Sequence, residues 1–177
     1  MTTSYDLDAA IRKVPDFPKK GILFFDITGI LEKPEAFGYC IDALYEKYKD
    51  RGIDRIACIE ARGFIFGAPL ALKMNVPLVL VRKKGKLPGK TYEKSFDLEY
   101  GSDTICIQDV DINKGDNFLL LDDLVATGGT LSAACSIIEE NGATVEAIAG
   151  IIGLPFLGYQ KVLDPHEVDV LVSYEGE

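Results

Sequence analysis

The sequence predicts an α/β domain in which a mostly parallel sheet is flanked by helices. Two observations carry that expectation. From about residue 55 onward, short unbroken apolar runs alternate with helical patterns. Strands that read as continuous apolar runs are strands covered on both faces, as in parallel sheets. The length of 177 residues suits one domain, 1–177.

The elements follow in order. Residues 7–14 carry apolar positions at helical spacing and read as a short helix. Pro15, Pro18 and Gly21 punctuate a loop, and residues 22–27 read as extended. Residues 34–48 fit an amphipathic helix with Pro34 in its first turn, where a missing N–H is tolerated. Residues 55–59 read as a buried strand, 63–74 as a helix and 77–81 as a second strand. Residues 118–121 read as a third strand and 129–141 as its helix; 143–152 and 168–172 supply two more strands. Residues 83–116 break the rhythm, being polar, punctuated by glycine and alternating at 104–108. They read as a mobile loop and a β-hairpin inserted into the α/β core. No repeat, low-complexity tract or linker divides the chain.

Composition excludes several classes. A net charge of -9 argues against nonspecific nucleic-acid binding, which needs cations to neutralise phosphates. The charge is uneven, however. Arg82, Lys83, Lys84, Lys86, Lys90 and Lys94 crowd one segment, opposed there only by Glu93. A local basic patch on an acidic protein suits a small polyanion. No apolar run approaches the roughly 20 residues that span a bilayer. The first residues lack the charged-then-apolar layout of a secretory signal, so the chain reads as soluble and cytoplasmic. Cys40, Cys58, Cys106 and Cys135 form no CxxC pair and sit in apolar contexts, so buried free thiols are expected. His166, the single histidine, rules out an HExxH metal site and reads as a surface loop residue.

The run 118–130, FLLLDDLVATGGT, is the chemical signature. Ligands of open parallel sheets bind beyond the carboxyl ends of the strands. Asp122 and Asp123 are expected just past such an end, and 126–130 turns into a helix. N–H groups of Ala126, Thr127, Gly128, Gly129 and Thr130 then face an anion, which the helix N-terminus favours. Two carboxylates beside that cradle suit the 2′- and 3′-hydroxyls of a ribose. A plain glycine-rich turn would explain an isolated ATGGT, but not the whole run. No GK[ST] follows and no GxGxxG is present. Arg62, opening a helix after a strand, is placed to meet a phosphate.

The run resembles the binding motif for 5-phosphoribosyl 1-pyrophosphate (PRPP) in the type I phosphoribosyltransferases. Further segments resemble the adenine-using members: Pro15-Asp16-Phe17-Pro18, Phe24-Phe25-Asp26-Ile27, Ala61-Arg62-Gly63-Phe64, Arg82 through Gly89, and Leu98-Glu99-Tyr100-Gly101. Their order and spacing agree with that family over nearly the whole chain. The resemblance implies the type I phosphoribosyltransferase fold, with residues 1–33 including a small hood over the base and 83–103 a flexible catalytic loop. It implies purine salvage: PRPP and adenine giving AMP and pyrophosphate, with Mg²⁺ bound through PRPP and Asp122 or Asp123 as candidate ligands. Arg62, Arg82, Lys83 and Lys86 would serve the pyrophosphate, some of them across a homodimer interface. Glu99 and Tyr100 would be the catalytic pair. Leu23, Phe24, Phe25 and Ala126 would enclose adenine.

The sequence departs from the family at three places. Phe25 stands where many relatives carry Arg, which leaves base specificity open. Ala61 replaces a frequent Ser. The segment 154–163 does not align, and no ligand role is assigned to it. Two alternatives therefore stand beside adenine transfer: transfer to another purine such as xanthine, and a PRPP-sensing regulator without catalysis. The latter usually needs a nucleic-acid-binding surface, which an acidic chain without an added domain does not offer.

Overall fold

Burial on both faces selects the strands of this chain, and the structure, a computed structural model describing residues 5–97 and 101–176, shows what covers them. The main sheet contains, in spatial order, β5 (Thr91–Asp97), β6 (Ser102–Gln108), β4 (Leu78–Lys83), β3 (Arg55–Ile59), β7 (Asn117–Val125), β8 (Thr144–Gly153) and β9 (Val168–Ser173). From β4 to β9 all neighbours are parallel. The β5–β6 hairpin joins antiparallel along β4, the expected insertion. A separate antiparallel pair, β1 (Arg12–Pro15) and β2 (Leu23–Asp26), forms the hood.

Helices α1 (Thr28–Leu31), α2 (Pro34–Tyr48) and α3 (Gly63–Met74) belong to one core, and α4 (Gly129–Glu140) and α5 (Tyr159–Leu163) to another. The period of two along each strand divides its side chains between these cores. Leu119 and Leu121 of β7 join the first with Ile56 and Cys58 of β3. Phe118 and Leu120 join the second with Ala57 and Ile59. All four β7 residues are fully buried, so the run looks uniformly apolar in sequence. In α2, Ala36, Cys40, Ile41, Leu44 and Tyr48 form the buried stripe, with Pro34 at the first position. The four cysteines are buried free thiols, as expected.

Four expectations need correction. Residues 7–14 are not one helix: a 3-10 turn at Asp8–Ala10 gives way to β1, because pairing with β2 overrides the local helical spacing. The span 83–103 is not loop throughout. Lys83 closes β4, and residues 91–97 and 102 onward are ladder-paired, with 84–90 connecting β4 to β5 and 98–100 outside the described residues. β7 does not stop at Leu121; pairing with β8 continues to Val125, so Asp122 and Asp123 lie inside the strand. His166 is turned inward, its Nε2 2.8 Å from Glu139 Oε1 and its Nδ1 3.0 Å from the Leu163 carbonyl, joining α4 to the turn after α5. Among the described residues, no helix is long and apolar enough to cross a membrane.

Close approach of α3 to β3 depends on Gly67. A Cβ there would lie 1.9 Å from Cys58 Sγ in the sealed interface. Gly67→Ala is therefore expected to cost about 1–3 kcal/mol through overpacking, measured as a lowered midpoint in urea unfolding followed by circular dichroism.

Candidate active site

The carboxyl ends of β4, β3 and β7 open into one cleft of about 340 Å³. Its floor carries Glu60, Ala61 and Arg62 after β3, Lys83 at the end of β4, and Asp122, Asp123 and Leu124 on β7. The hairpin contributes a wall through Phe96, Asp103 and Ile105. Against it lies a smaller recess of about 90 Å³, lined by Asp122, Leu124 and the segment Ala126 to Leu131. The recess is the phosphate-sized half; the larger cleft is the half with cations at its mouth.

The recess follows from a local device. Gly128 sits in the left-handed region, with φ +84, which glycine adopts without strain, and turns the chain into α4. A Cβ on Gly128 would lie 3.1 Å from Leu163 Cγ and 3.3 Å from Tyr159 Cβ, so α5 backs the turn directly. The first N–H groups of α4 have no helical partners, and Gly129, Thr130 and Leu131, which carry them, line the recess at the positive end of the helix dipole.

The carboxylate pair is built with little compensation. Asp123 is 3% exposed. The Asp123 backbone N–H donates to Asp122 Oδ1 at 2.8 Å. Arg62 Nε lies 2.9 Å from Asp123 Oδ2, yet that buried oxygen accepts no aligned hydrogen bond. Burial and the Asp123 charge push the Asp122 carboxyl well above the usual carboxylate range. Burial also raises Asp123, and the Arg62 guanidinium pulls it back. Asp123 is thus the paired charge, and Asp122 the group that keeps its proton longest in the free protein. Gly63 allows Arg62 this position, since a Cβ there would stand 3.1 Å from the Leu121 carbonyl and 3.2 Å from Asp122 Oδ1.

An orphaned acceptor beside a second carboxylate fits a hydroxyl donor or a hard cation. Among the described residues, no group of three or more His, Cys, Asp or Glu could enclose a metal. The chain could therefore supply at most part of a Mg²⁺ shell here, which suits an ion that keeps substrate and water oxygens.

The remaining expected residues are distributed differently. Lys83 lines the large cleft but is held by Asp103 at 2.6 Å, which raises its ammonium pKa. Arg82 lines neither cleft. Its Nε pairs with Glu60 at 2.7 Å and one NH donates to the Lys86 carbonyl at 3.1 Å, tying β3 to the basic loop. Lys86 is exposed on that loop. The hood stands to one side: Leu23 and Phe24 are half-buried, and the Arg62 guanidinium lies 5.7 Å from the Phe24 ring centre. Phe25 points the other way. Its side chain is 2% exposed and stacks on Tyr174, so strand alternation turns the ring into the core and leaves its backbone as the part that could meet a base. Glu99 and Tyr100 lie outside the described residues. Phe96 and Asp103 escaped the sequence reading, because their place at the site is set by cross-strand register rather than by any local motif.

A family described as phosphoribosyl transferase domain matches residues 26–154. An adenine phosphoribosyltransferase of Treponema denticola is 61% identical over 171 residues, 97% of this chain and 90% of its own length. The adenine phosphoribosyltransferase of Saccharomyces cerevisiae, solved with an imino-altritol bisphosphate and adenine, superposes with a TM-score of 0.89 at 39% identity, covering 94% of this chain and 96% of that one. That of Trypanosoma brucei, solved with AMP, pyrophosphate and ribose-5-phosphate, gives 0.87 at 28% identity, covering 97% and 82%.

A buried carboxyl whose pKa is raised on folding holds its proton where the unfolded chain has lost it. Its contribution therefore turns unfavourable as pH climbs from the unfolded value, about 4. Asp122→Asn should leave the melting temperature nearly unchanged near pH 4 and stabilise the free protein at pH 7.5 by about 0.5–2 kcal/mol. Calorimetric melts across that range would reveal it, and ribose 5-phosphate affinity should fall in the same variant.

Proposed function

The chain belongs to the phosphoribosyl transferase domain family, and on that premise we propose that it moves the 5-phosphoribosyl group of PRPP onto adenine, giving AMP and pyrophosphate in purine salvage. One observation carries this reading. A phosphate turn, two ribose-facing carboxylates and a cationic cleft share the ends of three adjacent strands. The named activities of the relatives at 28–61% identity support adenine as the acceptor.

In the reaction, a bond forms between adenine N9 and the ribose C1 while the C1–oxygen bond to pyrophosphate breaks. The leaving group takes the electron pair, and the N9 proton passes to a base. The α4 N-terminus and Gly128 turn hold the 5-phosphate. Asp122 and Asp123 accept from the ribose hydroxyls, and their negative charge suits a sugar that gains positive character in the transition state. Arg62 faces the pyrophosphate, and Lys83 joins it on release from Asp103. Mg²⁺, where bound through PRPP with Asp122 or Asp123, would neutralise charge on the leaving group. Leu23 and Phe24 offer the base an apolar edge, with Ala126 opposite. Glu99 receives the N9 proton and Tyr100 orients PRPP; both assignments rest on the family resemblance.

Arg82 acts by shaping the basic loop through its bonds to Glu60 and Lys86. The outer face of α3 leaves Ile65 36% and Leu72 84% exposed in a row, a surface suited to a homodimer contact. A cytoplasmic setting suits four unpaired thiols and phosphorylated metabolites.

A spectrophotometric assay of adenine, hypoxanthine, guanine and xanthine with PRPP and Mg²⁺ tests the reading. Turnover of adenine is expected, and turnover of xanthine alone would overturn the specificity. Glu99→Gln should lower kcat by about 100-fold while the KM for PRPP moves little, as loss of a general base requires. A wild-type kcat in that variant would remove Glu99 from the mechanism.

A further inference from the structure

The strand whose Phe24 ring lies 5.7 Å from the Arg62 guanidinium is pinned from behind by a residue the reaction does not use. Phe25, one position on, turns its ring into the core and stacks on Tyr174, with centroids 4.0 Å apart and planes inclined 15°. Tyr174 is held at three further points. Its hydroxyl bonds Asp8, at the base of the hood. The Lys13 ammonium of β1 lies 5.1 Å from its ring centre, and Lys13 itself pairs with Asp8 at 2.8 Å. Its backbone N–H donates to the Gly153 carbonyl at 3.0 Å.

That last bond leads to the ribose site. Gly153 ends β8 and pairs with Val125, the last residue of β7. The next residue, Leu154, donates its N–H to the Val125 carbonyl at 2.9 Å. Val125 stands between the Asp122–Asp123 pair and the phosphate turn. Tyr174 therefore joins the back of β2 to the strand end that carries both ligand sites. Among the described residues the hood shares no strand pairing with the main sheet, so side-chain contacts of this kind help hold it against the ribose site.

We propose that Tyr174 is a positioning residue: stacked on Phe25 and bonded to Asp8 and Gly153, it fixes the separation between β2 and the ribose 5-phosphate site and so tunes acceptance of the base. The proposal rests on the phosphoribosyl-transfer reading above. Its signature is selective. Removing the ring frees the hood, which meets the base, but leaves the phosphate turn and carboxylates backed by α5 and α3.

The test is steady-state kinetics of Tyr174→Ala and Tyr174→Phe with adenine and PRPP varied separately, beside calorimetric binding of ribose 5-phosphate without base. Tyr174→Ala should raise the KM for adenine by about tenfold, the worth of a stacked aromatic pair. The PRPP KM and the ribose 5-phosphate affinity should stay within about twofold. Tyr174→Phe keeps the stack and loses only the bond to Asp8, so a rise of about two- to threefold is expected; this variant decides the matter if the alanine variant does not fold. An unchanged adenine KM in the folded variants overturns the proposal, as does an equal loss for adenine and ribose 5-phosphate, which would mark general loosening. Failure of the wild-type protein to turn over any purine would instead overturn the functional reading, while ribose 5-phosphate binding would still report on the strand end.

Discussion

Two adjacent carboxylates inside a buried central strand are the constraint around which the site is arranged. Charges there are costly unless paired, and among the described residues Arg62 is the guanidinium that meets the two acids. The consequences reach outward. The helix bearing Arg62 at its start must approach β7 closely, and Gly63 makes that approach sterically open. The sheet must carry β7 between two parallel neighbours so that its end is covered on both faces. What remains uncompensated is a standing demand for hydroxyl donors or a cation. The free protein is thus less stable than it could be, and ligand binding relieves the deficit. Stability given up at a binding site is a common cost of function.

Much of this was legible in sequence because the relevant physics is local. α2 and α3 begin and end where the apolar stripe, Pro34 and the turn before Gly63 place them. β3 matches its apolar run, and the phosphate turn announces itself through Gly128 and Gly129 at a strand-to-helix junction. Elements fixed by distant partners were not legible. β1 reads as helix until β2 pairs with it. Asp122 and Asp123 look like the end of a strand because acidic residues rarely continue one, and only the ladder to β8 shows otherwise. The wall formed by Phe96 and Asp103 depends on hairpin register, and the grip of Asp103 on Lys83 follows from it. Phe25 was the instructive case. Its neighbours in sequence suggested a place beside the base, whereas a period of two sends its side chain to the core and leaves Phe24 beside Arg62.

The division between scaffold and site follows the same logic. The parallel strands and their covering helices are sealed by fully buried apolar residues, and their ends carry the carboxylate pair and the phosphate-sized recess. The hood and the hairpin wall are attached at the margins of that scaffold. On the proposed reading, the half of the substrate common to every purine meets the sealed scaffold, and the base meets the hood at its margin.

Tyr174 and Asp8 meet across 166 positions of the chain. During synthesis at about 5–20 residues per second, the hood segment waits on the order of 10–30 s for that anchor. Over the interval Phe25, buried in the finished molecule, lacks its stacking partner. The hood therefore cannot be fully secured until Tyr174 has been translated, however early its own strands pair.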